Sequence, residues 1–305
     1  MIILEVLSVL ARIFLMVGFG YLLNRMGVIK TEDEELLTDI LFKGVLPLSI
    51  IAASATDTGG QSKKEIFLLL IIFIGVYAMA TGIGLGLGKI LKLSYDKRMI
   101  FAAVVTFANT GFIGFPVMQE LYGDIGLLYA VTVNLAHNVF VYTVGLRLFD
   151  EEAKGSIKTL LRNNLTVGAL IMLVLFFGGI KLPSIIQDTF SAFGKMVTPM
   201  SMMIIGSSIA GKDIKRLVTD KYSYIGAAMR LLVVPIIVFI IMKIVRAPEM
   251  IKITCTIMSG LPCGATTAIM ARKYHREETY ATLTSILTII LFAFTLPVLL
   301  LLLKL

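Results

Sequence analysis

Apolar residues along this chain fall into long runs, set apart by short stretches of charged and polar residues. The runs lie at about 2–23, 36–56, 66–90, 98–121 and 125–148, then 164–180, 184–210, 222–244, 249–271 and 279–303. A bilayer-spanning helix needs about 20 consecutive apolar residues. The pattern therefore predicts an all-α polytopic membrane protein with ten transmembrane helices. The first run lacks the basic leader and short apolar core of a cleaved signal peptide, and is read as a retained helix. Before the second run, Thr31 with Glu34 three residues later fits a helix-capping box.

Composition narrows the class. Of 305 residues, 57% are hydrophobic, 16% are charged and 26 are glycine. Soluble domains carry about 25% charged residues. This excludes a soluble enzyme, a disordered chain and a disulfide scaffold. Cys255 and Cys263 share one apolar run. On a continuous helix their Cα atoms would be about 12 Å apart, too far for a disulfide.

The net charge of +8 gains meaning from its distribution. With residues within about three positions of a run's end counted to the adjoining connection, alternate connections carry 17 of the 28 Lys and Arg residues, the opposite connections and the termini carry 7, and 4 lie deeper inside runs. Such clusters do not form one basic face, so nucleic acid is not an expected partner. By the positive-inside rule the richer side is cytoplasmic and both termini lie outside.

The chain also repeats itself. Lys43-Gly-Val-Leu-Pro47-Leu-Ser49 in run 2 matches Lys195-Met-Val-Thr-Pro199-Met-Ser201 in run 7, offset by 152 residues. Pro116 in run 4 and Pro262 in run 9 are offset by 146. Five runs per half force the second half to enter the membrane upside down, the inverted arrangement of secondary transporters. The expected division is 1–149, a short cytoplasmic linker at 150–163, and 164–305.

Runs 4 and 9 carry helix breakers: Asn109-Thr110-Gly111-Phe112-Ile113-Gly114-Phe115-Pro116 and Gly260-Leu261-Pro262-Cys263-Gly264. Proline removes a backbone donor and glycine permits the opened backbone. Both helices are expected to break near the midplane, with Pro116 and Pro262 near the first position of each second half-helix. Exposed N–H groups there suit a carboxylate, and the carbonyl ends of the first half-helices suit a cation.

These residues carry a family resemblance. Asn109-Thr110-x-x-x-Gly114-x-Pro116 resembles the span 4 crossover of the auxin efflux carrier family, which includes plant PIN-type carriers and bacterial organic-anion carriers. Leu261-Pro262-x-Gly264, followed by Ala271-Arg272-x-Tyr274, is similar to the family's span 9, and Asn138 with Tyr142-Thr143 to its span 5. Leu296-Pro297 resembles its last helix.

The resemblance implies the fold of bile-acid symporters and sodium/proton antiporters. Spans 1, 2, 6 and 7 would form a scaffold, and the rest a transport domain moving as an elevator. It assigns the substrate carboxylate to Asn109, Thr110, Gly111, Gly114, Pro116, Leu261, Pro262, Cys263 and Gly264. The long hydrophilic loop of the plant carriers is absent, leaving only about 149–163. Bacterial inner-membrane localisation and a homodimer through the scaffold helices are further expectations.

Intramembrane ionisable residues are functional candidates by default. Lys43 and Lys195 either draw an anion into each vestibule or snorkel, with Asp39 an alternative partner of Lys43 at i, i+4. Arg230 either balances a bound anion or forms a structural pair; Arg12 reads as structural. His137 and Glu120 are candidate proton carriers, with helix packing the alternative for His137. Thr106, Thr266 and Thr267 could offer oxygens to sodium, so proton and sodium remain alternative coupling ions. No metal-ligand spacing, phosphate-binding loop or dinucleotide fingerprint is present, and no cofactor is expected.

The sequence therefore points to a secondary carrier of a small organic anion, a mono- or dicarboxylate. The alternatives are a sodium-coupled symporter of the bile-acid type, a membrane sensor that binds without transport, and an intramembrane enzyme. The enzyme lacks a membrane-depth catalytic set.

Overall fold

In the computed structural model the chain is described over residues 2–30, 32–55, 63–153, 155, 157–210 and 220–303. Thr31 of the expected capping box lies outside these. The neighbouring helix is instead entered with the Lys30 N–H donating to Asp33 Oδ2 at 2.8 Å. Every regular element among the described residues is helical.

In order the α-helices are α1 (Ile2–Arg25), α2 (Asp33–Asp39), α3 (Leu46–Ala52), α4 (Lys63–Ile90) and α5 (Tyr95–Thr106). There follow α6 (Phe115–Thr143), α7 (Ile157–Leu161), α8 (Asn164–Gly178), α9 (Ser184–Gly194) and α10 (Val197–Ala210). The last five are α11 (Lys221–Ala228), α12 (Val234–Ile244), α13 (Glu249–Ser259), α14 (Ala265–Lys273) and α15 (Glu278–Leu302).

Among the described residues, three α-helices are entered from a π-helical turn: Ile40–Val45 before α3, Thr110–Gly114 before α6 and Met229–Val233 before α12. In each case the second residue of the α-helix is a proline, Pro47, Pro116 or Pro235. A proline ring clashes with the carbonyl four residues back and supplies no N–H. Here that carbonyl belongs to Lys43, Phe112 or Leu231, each inside the widened turn. The π turn relieves the clash while the chain stays helical.

Among the described residues, five helical stretches are long and apolar enough to cross a membrane: Asp33–Ala55, Lys63–Ile90, Thr110–Thr143, Lys221–Ile244 and Glu278–Leu302. Runs 4, 7 and 9 are cut into shorter pieces. Run 7, expected as one span over 184–210, ends α9 at Gly194, turns at Lys195-Met196 and restarts with Pro199 in the first turn of α10. The two Lys-x-x-x-Pro motifs thus differ locally: Lys43 lies within a continuous helix and Lys195 in a turn. Thr110–Thr143 joins the second part of run 4 to run 5 through Gly123, whose φ of 62° and ψ of −149° interrupt the helix.

The chain forms two compact units, each drawn from both halves of the sequence. Unit 1 holds residues 1–67, 111–135 and 158–212. Here α1 packs along α10, and α3 packs against α8 and α9. The α1–α10 approach depends on small residues: a Cβ on Gly206 would collide with the Val17 carbonyl, and one on Gly20 with that of Met203. Close backbone contact through glycine is how helices associate where the solvent is itself apolar. A polar chain crosses this interface, Asn24 donating to Ser207 at 3.1 Å and Ser207 to Glu34 at 2.8 Å.

Unit 2 holds residues 68–110, 136–157 and 213–305. Here α12 packs on α13, and α15 packs on α11 and α14. The connections at one end are tied by Arg276, which lies 3.4 Å from Asp96, 3.9 Å from Glu151 and over the Tyr95 ring.

Candidate functional site

Two breaks in unit 2 meet each other. Helix α5 stops at Thr106 because Phe107 turns to an extended backbone, and α13 stops at Ser259 ahead of the Gly260–Gly264 segment. Ala108 and Cys263 then pair as a single antiparallel β-bridge. The Asn109 N–H donates to the Pro262 carbonyl at 2.8 Å, and the Gly264 N–H to the Phe107 carbonyl at 2.9 Å. At membrane depth, non-helical backbone survives only if its polar groups find protein partners or line a wet cavity. The exchanged pair meets that demand for both segments at once.

Gly264 is required by this approach. A Cβ there would sit 2.9 Å from the Ala108 carbonyl oxygen, and the backbone has no flexible end to yield. A third element braces the bridge. The Cys263 N–H donates to Thr288 Oγ1 at 3.0 Å, and the Ser285 hydroxyl lies 3.4 Å from Cys263 Sγ, both from α15. Thr284, one position before, bonds Ser223 at 2.8 Å. Sequence reasoning missed these α15 hydroxyls. Their signal is Thr284, Ser285 and Thr288 at helical spacing in an otherwise apolar run.

The amides of Asn109, Cys263 and Gly264 are thus spent on the protein itself. The first turn of α14 begins at Ala265, with Gly264 as its N-cap in extended conformation and no side-chain cap. Its leading amides form the positive end of a short helix. Pro262 departs from expectation: it lies in the bridge, three residues before α14, where its missing N–H costs nothing and its carbonyl serves Asn109. Pro116 is the second residue of α6.

Around the bridge, Asn109 is half-buried, while Thr110, Leu261, Pro262, Cys263 and Gly264 are buried. Gly111, Gly114 and Pro116 are also buried but belong to unit 1, where Gly111 faces the Phe42 ring. Arg230 is 1% exposed and donates to the carbonyls of Leu261 (2.8 Å), Val105 (3.0 Å) and Thr106 (3.0 Å). His137 is buried against the edges of Tyr77 and Phe107 at ring separations of 5.4 and 5.8 Å, and its Nδ1 has no partner. Asn138 is buried and Tyr142 half-buried, both in unit 2.

The remaining candidates lie elsewhere. Lys43 pairs with Asp39 on its own helix, as one alternative held. Lys195 is exposed in its turn. Glu120 is ion-paired with Arg12 at 3.0 Å in unit 1. Of the candidate sodium oxygens, the Thr106 hydroxyl donates to Ala102 at 2.7 Å and touches Thr81 at 3.0 Å, Thr267 is buried and Thr266 half-buried. No group of three or more His, Cys, Asp or Glu residues able to hold a metal ion occurs among the described residues.

A family profile described as membrane transport protein matches residues 5–300. The chain belongs to this family, that of the auxin efflux carriers. It is 25% identical to an uncharacterized transporter of Methanocaldococcus jannaschii, over 89% of this chain and 90% of that protein. It is 23% identical to an uncharacterized transporter of Methanothermobacter thermautotrophicus, over 76% of this chain and 75% of that protein. The family is one of integral membrane transporters, not enzymes. The apolar helices and the scarcity of charge are those of a membrane transporter.

Proposed function

We propose that the protein is a secondary carrier for a small organic anion, a mono- or dicarboxylate, held at the paired breaks of runs 4 and 9. The observation that carries this reading is the backbone bridge at Ala108 and Cys263. It joins two interrupted helices in one place and leaves an uncapped helix start at Ala265, next to Gly264, which lies against the backbone of half-buried Asn109. Amide dipoles at a helix start stabilise a carboxylate without a full positive charge, and an Asn amide adds a directed donor.

On this reading the ten runs form two inverted five-helix repeats, and spans 3–5 and 8–10 move against spans 1, 2, 6 and 7 as an elevator. Two compact units, each assembled from both sequence halves, support that division for spans 1, 2, 6 and 7 and for spans 3 and 8–10, whereas residues 111–135 group with the former set. The basic connections face the cytoplasm.

Malonate uptake into proteoliposomes tests the function, and Asn109→Ala tests the site. The expected result is saturable flux in the wild type and loss of most of it in the variant, with an unchanged melting temperature in ligand-free detergent solution. Undiminished flux in Asn109→Ala would sink the assigned site. Binding of malonate without flux would make the protein a sensor.

A further inference from the structure

Arg230 sits in the π turn between α11 and α12, the widened turn enforced by Pro235. Its guanidinium has four acceptors, and all are backbone carbonyls: Leu261 from Nε, Val105 and Thr106 from Nη1, and Met258 from Nη2 at 3.5 Å. Val105 and Thr106 are the last two residues of α5; Met258 is next to last in α13, and Leu261 follows in the break. A buried charge normally has a carboxylate partner. Among the described residues none is paired with Arg230.

The partner is instead electrostatic and delocalised. The C-terminal end of a helix carries roughly −0.5 of an elementary charge, spread over carbonyls with no donor. Two such ends converge on one guanidinium, so their sum roughly matches its charge. The planar fork of donors also reaches both helices at once, which a single ammonium would not do as well. Carbonyl oxygens at two helix ends are the donor set that a small inorganic cation would otherwise need.

We infer that Arg230 is the resident cation of the paired breaks. It neutralises the carbonyl ends of α5 and α13, holds the two extended segments in register, and thereby makes anion binding independent of sodium. Arg230 is a positioning residue: its donors are used on the backbone, and it acts on the substrate through the geometry and charge of the site. This rests on the carboxylate-carrier reading. It removes the need for an ion at Thr106, Thr266 and Thr267, and so selects against the sodium-coupled alternative.

The test compares wild type, Arg230→Lys and Arg230→Met in detergent solution. Malonate affinity is measured in sodium chloride and in choline chloride, and the ligand-free melting temperature is recorded for each. The expected wild-type affinity is the same in both salts. Arg230→Met, which keeps the volume but not the charge, weakens malonate by about tenfold or more. Arg230→Lys recovers part of that loss, because a single charge remains at the carbonyl ends. A wild-type affinity that rises severalfold with sodium overturns the inference, as does equal malonate binding in wild type and Arg230→Met. Lysine no better than methionine also overturns it, because packing alone would then explain the residue. If the wild type binds no carboxylate, the carrier reading fails separately. The order of ligand-free melting temperatures, Arg above Lys above Met, then decides whether the charge holds the breaks, and a flat or inverted order refutes it. Should Arg230→Met not fold, the Lys variant still carries both measurements.

Discussion

Arg12 Nη1 lies 3.0 Å from Glu120 Oε1, joining the middle of α1 to the second turn of α6 within unit 1. Each residue alone would be a charge placed among apolar helices, and each gives the other its reason to be there. Glu120 is thereby engaged in an ion pair one turn beyond Pro116. Removing one partner should cost more than removing both, because the survivor is left unpaired. We expect Arg12→Met and Glu120→Gln each to lower the melting temperature, and the double variant to recover part of the loss. A coupling of about 0.5–3 kcal/mol is expected from such a cycle. Strict additivity would show the pair to be incidental.

Gly264 makes a sharper stability prediction. A methyl group added there meets the Ala108 carbonyl at 2.9 Å, and relief requires moving the bridge itself. Overpacking of this kind costs about 1–3 kcal/mol. Gly264→Ala should melt lower than wild type and lose malonate binding. Gly44→Ala, with no atom within 4 Å of the added carbon, is the control and should change neither. Equal melting temperatures for the two variants would refute the close approach.

How far these features were legible in the sequence depends on whether their causes are local. Proline and glycine act on their own turn, so the interruptions at Asn109–Pro116 and Gly260–Gly264 could be read directly. The pairing of Lys43 with Asp39 follows from helical spacing and was among the readings offered. The location of Pro262 was not legible, because its carbonyl is fixed by an amide 153 residues away in sequence. The role of Arg230 was hidden for a similar reason. Its acceptors are carbonyls 28, 31, 124 and 125 residues distant, and every residue carries a carbonyl. A side chain that bonds only backbone leaves no matching residue to find.

The thiols offer a direct assay of folding. Cys255 and Cys263 are free and buried, at 0% and 1% exposure. A thiol reacts only when reagent can reach it. A maleimide dye should therefore label native protein slowly and both cysteines in full once the helices open. Fluorescence on heating should rise in one transition, and added malonate should move that transition upward, since a ligand bound only by the folded state stabilises it. Rapid labelling of Cys263 in native detergent solution would mean that the bridge opens without unfolding.

The orientation proposed from the charge asymmetry can be tested without any ligand. With 17 basic residues on one set of connections and 7 on the other, that set should remain in the cytoplasm. Single cysteines introduced into a background of Cys255→Ala and Cys263→Ala would report it. A cysteine replacing Lys92, between α4 and α5, should be shielded from an impermeant maleimide in intact cells and react after permeabilisation. One replacing Lys181, between α8 and α9, should react in intact cells. If Lys92→Cys reacts and Lys181→Cys does not, the topology is reversed. The basic connections would then face outward, although the backbone bridge and its arginine would be unaffected.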